Sequence, residues 1–139
     1  AAATPAAFGT EALIEDFGST PDGLLSLRVR GRRRFHMLRT RVRDNGLLVA
    51  DVEWREDAAG SPRLRPEHAL LAELLRRILL QVAGEHAEPA PLLFESAAWV
   101  GWRLAELLPL EMRQRQALLQ DDDPHARLQR LLEAIAAEG

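Results

Sequence analysis

The first half of the chain alternates apolar and polar residues with the two-residue period of a β-strand. The alternation combines apolar Leu25, Leu27 and Val29 with polar Ser26, Arg28 and Arg30. Because successive side chains of a strand point to opposite faces, this pattern predicts a strand with one buried and one solvated face. A shorter strand is predicted from Thr10 to Phe17, and the run from Gly18 to Gly23 that joins the two is rich in turn-forming residues.

A third strand is predicted from Arg34 to Arg43, after a break at Gly31. Its apolar residues fall into two sets of opposite phase, with Phe35 and Met37 in one and Leu38, Thr40 and Val42 in the other. A β-bulge adds one residue to a strand and so reverses its phase. We therefore predict a bulge near Met37 and Leu38 that brings both sets to the same face.

The sequence Asp44-Asn45-Gly46 predicts a hairpin turn that leads into a fourth strand, and it allows two registers. A two-residue loop would set Arg43 against Leu48 and mix polar and apolar residues on each face. A three-residue loop with Gly46 in the left-handed conformation pairs Val42 with Leu48, Thr40 with Ala50, Leu38 with Val52 and Arg39 with Asp51. We favour the second register, because a slip of one residue would move the buried set to the wrong face.

Beyond the strands, the composition changes between Glu56 and Pro66, and helical periodicity follows. Four helices are predicted: one from Pro66 to a stop at Gly84, one capped by Ser96, one from Leu110 to Gln120 after Pro109, and one that begins at Asp123-Pro124. The first carries an apolar stripe of Leu71, Leu74, Leu75, Ile78 and Val82, and the last a stripe of Leu128, Leu131, Leu132 and Ile135. The sequence thus predicts an α+β fold, with an antiparallel β subdomain over residues 1–57 and a four-helix subdomain over residues 58–139.

The composition excludes several kinds of chemistry. The 139 residues include no cysteine, and all 18 basic residues are arginine. A P-loop and a serine–lysine dyad both require a lysine, and thiolate metal sites and disulfides require cysteine. The absence of cysteine fits a reducing, cytoplasmic compartment. No apolar run approaches the roughly 20 residues that cross a bilayer, so no membrane partner is expected.

Eight arginines lie between Arg28 and Arg43 without an acidic residue among them. One interpretation is a basic face for RNA or for an acidic polypeptide, with Arg28, Arg30, Arg39 and Arg41 as the candidate RNA-binding residues. The other is a solvated strand face whose arginines pair with Glu15, Asp16, Asp51 and Glu53 on neighbouring strands. We favour the second, because opposite charges on neighbouring strands can pair. The formal net charge of −3 also argues against a nucleic-acid partner.

The remaining candidate groups predict no catalytic centre, cofactor or metal site. The four histidines have no ligand partner at helical or turn spacing, and no serine has the setting of a hydrolase nucleophile. The acidic run from Asp121 to Asp123 is interpreted as a helix cap rather than a cation site. Trp99 and Trp102 share one helical face, either as core residues or as part of an aromatic groove that holds an extended peptide.

Several segments together resemble the N-terminal, substrate-binding domain of the Lon protease family, especially its small stand-alone bacterial members. The resemblance rests on residues 9–17, 21–25, 29–35 and 99–110, on Gln116, Leu118, Leu119 and Asp123, and on Arg127-Leu128. It covers about residues 9–133. It implies a PUA-like β subdomain, an incomplete pseudo-barrel, joined to a helical subdomain. It also implies recognition of unfolded or damaged polypeptides without ATPase or peptidase activity.

The sequence departs from that family at its start, since members usually begin with a further strand and a helix. Four strands cannot close a barrel, so two sheet edges would remain unpaired. We therefore expect that the chain is a fragment, or that a second copy associates through an open edge.

The leading hypothesis is a binding module for unfolded or partner polypeptides, acting by strand addition to a sheet edge or by docking of apolar residues. The candidate binding residues are Leu47, Val49, Arg39, Arg41, Trp99 and Trp102.

Overall fold

The structure, a computed structural model, describes residues 5–57, 62–83 and 89–138. Three strands come first: β1 (Phe8–Ser19), β2 (Leu25–Val42) and β3 (Leu48–Arg55). Four helices follow: α1 (Ala69–Ala83), α2 (Ala97–Leu107), α3 (Met112–Gln120) and α4 (Pro124–Glu138). The chain divides between Glu56 and Asp57 into two compact units, which are described separately below. The predicted α+β class and the four helices are confirmed.

The strands form one open antiparallel sheet in the order β1-β2-β3. The predicted break at Gly31 is wrong, because Gly31 lies inside β2 opposite Ala12, and the described sheet therefore has three strands instead of four. The hydrogen-bonded ladder continues past Gly31 because β2 contains one extra residue between Gly31 and Arg34. Arg34 pairs with Thr10, and Gly31 pairs with Ala12. A Cβ atom on Gly31 would lie 3.3 Å from Thr10 Cγ2. The glycine thus marks a close approach of two strands and not the end of one.

Both hairpins turn through three residues that end in a glycine with positive φ. Gly46 has φ 84°, and Gly23 in the first hairpin has φ 83°. In the second hairpin, Gly46 N–H donates to Arg43 O and Arg43 N–H donates to Leu47 O, both at 2.8 Å. A left-handed residue at this position is the usual way to close a three-residue loop. The prediction of a three-residue loop is confirmed.

The register of the second hairpin pairs Val42 with Leu48, Thr40 with Ala50 and Arg39 with Asp51, as predicted. The predicted pair of Leu38 with Val52 is wrong, since Val52 lies opposite Met37. Leu38 is the extra residue of a bulge in β2. The bulge predicted at this point is thereby confirmed, and it places Met37 on the same face as Thr40 and Val42.

In the helical unit, the predicted start and stop signals are mostly observed. Pro66 opens a short 3-10 turn, Pro66–His68, and α1 begins directly after it. Ser96 Oγ accepts from Trp99 N at 3.2 Å, and Asp123 Oδ1 accepts from His125 N at 3.0 Å, so both cap their helices. The third helix begins at Met112, two residues later than predicted. The predicted stop at Gly84 lies outside the described residues.

The core of the helical unit is mainly aliphatic. Its buried members are Leu71, Leu75, Leu79, Phe94, Ala97, Val100, Leu104, Leu118, Leu128 and Leu131. Fully burying one such leucine stabilises the fold by about 1.5–3 kcal/mol. The predicted stripes supply much of this core, and Leu74, Ile78, Leu132 and Ile135 pack partly buried against it. Val82 does not belong to it, because it is 71% exposed near the end of α1.

Candidate functional site

In the part of the chain that the structure describes, β3 lies at one edge of the sheet and has a neighbouring strand on one side only. The bond from Arg43 N to Leu47 O shows that the peptide groups of Leu47 face β2. Because successive residues direct these groups to opposite edges, those of Leu48, Ala50 and Val52 point away from β2. Within the described ranges, no backbone hydrogen bond joins them to another segment. Among the described residues these groups are therefore unpaired, and unpaired groups of this kind can accept another extended chain.

One face of the β2–β3 hairpin, which we call the arginine face, carries Arg39, Arg41, Val49 and Asp51. The register sets Arg39 opposite Asp51 and Arg41 opposite Val49. Arg41 Nη1 lies 3.0 Å from Asp51 Oδ1, and Arg39 Nε lies 3.8 Å from Asp51 Oδ2. These exposed ion pairs contribute about 0–1 kcal/mol each. The structure thus brings three of the candidate binding residues together, and Leu47 lies beside them at the end of the turn.

The opposite face of the same hairpin is apolar and exposed. Val42 and Leu48 form a cross-strand pair on this face and are 65% and 47% exposed. The next pair, Thr40 and Ala50, continues the same face. These residues are absent from the candidates chosen from the sequence, because their alternation was interpreted as a buried set. An added strand on β3 would meet this apolar face on one side and the arginine face on the other.

A second exposed apolar surface, which we call the apolar ribbon, lies on the β1–β2 hairpin and consists of Ile14, Phe17, Leu25, Leu27 and Val29. Ile14 pairs with Val29 and Phe17 pairs with Leu27, and a bulge at Glu15 brings Phe17 to the face of Ile14. The five side chains are 53–74% exposed. The sequence-based prediction that Leu25, Leu27 and Val29 form a buried face is therefore wrong, because alternation shows which residues share a face but not whether anything covers it.

Carboxylates of β1 pair with arginines of β2. Arg33 Nε and Nη2 donate to the two carboxylate oxygens of Glu11 at 3.1 and 3.2 Å. The hydrogen bonds from Arg33 lower the pKa of the Glu11 carboxyl below its usual value and raise the pKa of the Arg33 guanidinium. Glu15 lies 3.4 Å from Arg30. The predicted pairing of Glu15 and Asp51 with the arginines of β2 is confirmed.

The two tryptophans of α2 lie in the helical unit, and each contacts a specific neighbour. The ring of Trp99 meets Phe94 edge-on with centroids 5.1 Å apart, and it packs against the aliphatic core. The guanidinium of Arg127 lies 3.5 Å from the ring centroid of Trp102. Both rings are partly buried. Trp99 has the packing expected of a core residue, which was one of its two interpretations.

Arg127 is the most deeply buried charged group among the described residues, with 0% of its surface exposed. Its Nη2 donates to Asp57 Oδ1 at 2.7 Å and to Asp121 O at 2.6 Å, and its Nη1 donates to Asp57 Oδ2 at 3.3 Å. A two-point bond of this kind suits the planar guanidinium and not an ammonium. We call this group, with Trp102, the Arg127 cluster. It joins the start of the helical unit to α4 and has a structural role.

Other polar groups of the described segments give no sign of a metal centre. His68 is buried, and its Nε2 lies 3.1 Å from Gln129 Oε1. Among residues 5–57, 62–83 and 89–138 there is no group of three or more metal-ligating side chains. In the same ranges, every helix is too short or too polar to span a bilayer.

Comparison with known proteins identifies relatives over nearly the whole chain. The family model described as the ATP-dependent protease La (LON) substrate-binding domain matches residues 5–137. The crystal structure of a Lon N-terminal domain protein from Xanthomonas campestris is 54% identical, with a TM-score of 0.74, and the match covers 93% of this chain and 68% of that one. The N-terminal domain of Lon protease from the Mycobacterium avium complex is 19% identical, with a TM-score of 0.60 and coverage of 92% and 69%, and it supports the fold alone. No curated protein matches the chain.

Proposed function

The chain belongs to the family of LON substrate-binding domains, and on that premise we propose that it binds unfolded or damaged polypeptides, or extended segments of partner proteins, and catalyses no reaction. The proposed action needs no cofactor. Because the chain has no cysteine to oxidise, we place this action in the cytoplasm.

The outer edge of β3, which is unpaired among the described residues, is the observation that carries this proposal. A segment that adds to the edge gains hydrogen bonds from the outward peptide groups of Leu48, Ala50 and Val52. Such bonds do not depend on the sequence of the added segment, so they suit a module that must accept many unfolded chains. Most backbone groups of a folded protein are already paired within it, so a folded protein offers few segments that can add as a strand.

Side chains on both faces of the edge add contacts to those backbone bonds. Val49 and the stems of Arg39 and Arg41 lie on the arginine face, and Leu47 extends the surface at the turn. Val42 and Leu48 offer apolar area on the other face. We include Trp99 and Trp102 as a separate candidate contact in the helical unit, because each ring remains partly exposed.

The test compares one model protein in two states, reduced and carboxymethylated so that it stays unfolded, and native. We expect saturable binding of the unfolded form alone, measured by fluorescence anisotropy. Val49→Asp and Leu47→Asp should each weaken binding about tenfold, which corresponds to about 1.4 kcal/mol. Leu70→Asp is the matched control, because Leu70 is an exposed leucine of α1, distant in sequence from the edge. Equal binding of native and unfolded protein would contradict the proposal.

The RNA-binding alternative is less well supported by the same residues. Of the four arginines that it requires, Arg30 lies beside Glu15, and Arg39 and Arg41 share Asp51. Each of these carboxylates already offsets the positive charge of its arginines, so less positive charge remains for an RNA phosphate to neutralise. RNA binding that weakens steeply with salt and that is reduced by Arg39→Ala would favour this alternative.

A further inference from the structure

The loop of the second hairpin contains Asn45, the only asparagine among the 139 residues of the chain, followed directly by Gly46. Both residues are exposed. Apart from its two chain neighbours, no described residue lies within 4 Å of the position that a Cβ atom on Gly46 would take, so the space beside its backbone nitrogen is open. Glycine after asparagine gives this nitrogen the least hindered approach to the side-chain carbonyl carbon, because glycine has no Cβ and rotates freely.

A hydrogen bond within the loop polarises the Asn45 carboxamide. Leu47 N–H donates to Asn45 Oδ1 at 3.0 Å. Attack on Asn45 Cγ places negative charge on this oxygen, and a donor that is already directed at the oxygen stabilises that charge. Since Gly46 lies between the two bonded residues, the bond also holds the carboxamide close to the Gly46 nitrogen. The loop therefore contains an activated electrophile with a nucleophile beside it.

One bond of the turn opposes a reaction between these groups. Gly46 N–H donates to Arg43 O at 2.8 Å, and the nitrogen must give up this proton in order to attack. The bond must therefore open first, and a single exposed turn bond slows the reaction by about tenfold at most. Exposed loops open far more readily than the rest of a fold. The hindrance is thus limited, and the polarising bond from Leu47 acts against it.

We propose that Asn45 is a site of spontaneous deamidation. In the first step the Gly46 nitrogen forms a bond to Asn45 Cγ, the bond from Cγ to the amide nitrogen breaks, and ammonia leaves with the proton that the Gly46 nitrogen carried. The product is a succinimide ring. In the second step water adds to either carbonyl carbon of the ring and breaks its bond to the ring nitrogen. The nitrogen takes one proton of the water, and the new carboxylic acid ionises. The chain then contains aspartate, or isoaspartate with the backbone routed through Cβ, and the only co-reactant is water.

Isoaspartate changes the backbone that sets the register of the hairpin. It adds one methylene to the main chain of a three-residue loop, whose length fixes which residues lie opposite each other. The closing bonds from Gly46 N to Arg43 O and from Arg43 N to Leu47 O, both 2.8 Å long, then cannot both keep their geometry. Because the pair of Val42 and Leu48 follows directly, the disturbance reaches the start of β3. A resulting loss of polypeptide binding rests on the proposed function, whereas the modification itself does not.

The first hairpin provides a matched comparison within the same chain. Asp22-Gly23 occupies the equivalent loop, and Gly23 has φ 83° against 84° for Gly46. The side chain of Asp22 is a carboxylate, which is a much poorer electrophile than a carboxamide because it already carries negative charge. In this loop, Leu24 N–H donates to Thr20 Oγ1 at 3.1 Å. We therefore expect isoaspartate to form much more slowly at Asp22 than at Asn45, although both loops end in a left-handed glycine.

The test follows the full chain during incubation in mildly alkaline buffer at physiological temperature. We expect first-order conversion to a species in which one NH₂ group is replaced by OH, measured by mass spectrometry, and faster at higher pH because the Gly46 nitrogen must lose a proton. Tandem spectra should locate the change at Asn45, and an isoaspartate methyltransferase measures the isoaspartate. A capped peptide of residues 40–51 gives the rate without the folded loop, and the folded protein should react within about tenfold of that rate.

Two variants separate the chemistry from the fold. Asn45→Ser keeps an oxygen that can accept from Leu47 N–H but has no carboxamide, so neither its mass nor its hairpin should change during the incubation. Asn45→Gln requires a larger ring and should react at least about tenfold more slowly. In the unsubstituted protein, amide hydrogen exchange at Arg43 and Gly46 should become faster as isoaspartate accumulates. Binding of the unfolded model protein should weaken about tenfold over the same period.

Several results would overturn the proposal. A mass that stays constant, an equal gain of mass in Asn45→Ser, or a rate in the folded protein far more than about tenfold below that of the peptide would exclude Asn45 as the site. Unchanged amide exchange after complete conversion would exclude the effect on the hairpin. If fresh protein does not bind the unfolded model protein, the proposed function is contradicted, while the mass and exchange measurements still decide whether Asn45 deamidates and opens the loop.

Discussion

Replacement of Arg127 by methionine tests the structural role assigned to the Arg127 cluster. Methionine has a similar length and no charge, so the change removes the two-point bond to Asp57, the bond to Asp121 O and the contact with Trp102. The Asp57 side chain is 21% exposed and regains some hydration after the change.

The expected decrease in the free energy of unfolding follows from this geometry. Breaking a buried ion pair by removing one partner costs about 3–5 kcal/mol. Because Asp57 is partly exposed, we expect the lower end, about 3 kcal/mol, which for a unit of this size lowers the melting temperature by about 10 °C or more. Arg127→Lys keeps the charge without the planar two-point bond and should cost about half as much.

The assay must distinguish the two units, since a chain of two units need not unfold in one step. Trp99 and Trp102 report on the helical unit and Trp54 on the sheet, so single-tryptophan variants followed by fluorescence in urea separate the transitions. Arg113→Met on the exposed surface of α3 is the control and should change stability by less than about 0.5 kcal/mol. A loss below about 1 kcal/mol for Arg127→Met would refute the structural role of the cluster.

Three further predictions concern local structure. Ser96→Ala removes the cap of α2 and should cost about 1 kcal/mol, measured by urea unfolding against Ser26→Ala on the exposed surface of β2. Gly46→Ala places a residue with a side chain in the left-handed backbone region and should destabilise the fold by about 1 kcal/mol or more. An unchanged midpoint of urea unfolding would show that the turn relaxes. Because Arg33 lowers the pKa of Glu11 from its ordinary 4.5, their ion pair stabilises the fold above that pH and is lost as the pH falls through the lowered pKa. Glu11→Gln should therefore flatten the acid limb of a stability–pH profile, and an unaltered limb would contradict the pairing.

The local pattern of the sequence was sufficient to predict the second hairpin and the helices. The mixed phase of Phe35, Met37 and Thr40 required a bulge, and Asp44-Asn45-Gly46 allowed only one loop that kept the apolar residues together. Both features depend on residues that are close in sequence, and both are observed. The caps at Ser96 and Asp123 are likewise local and were predicted from their own segments.

Features that depend on distant residues were not predictable in this way. Arg127 and Asp57 are 70 residues apart, and no periodicity connects them. The continuity of β2 through Gly31 depends on its partner Ala12 and on a bulge in the middle of β2. The exposure of the apolar ribbon was not predicted either. The alternation of apolar and polar residues defines which residues share a face but does not show whether another element covers it. Val42 and Leu48, which lie across the strands from each other beside the candidate binding residues, were not chosen from the sequence for the same reason.

The most direct test of polypeptide binding is amide hydrogen exchange of the protein with and without an excess of a permanently unfolded protein. Strand addition predicts slower exchange at Leu48, Ala50 and Val52, whose N–H groups face outward, and little change at Val49 and Asp51, whose N–H groups already face β2. Unchanged exchange at all of these amides, with the unfolded protein at saturating concentration, would contradict binding at this edge.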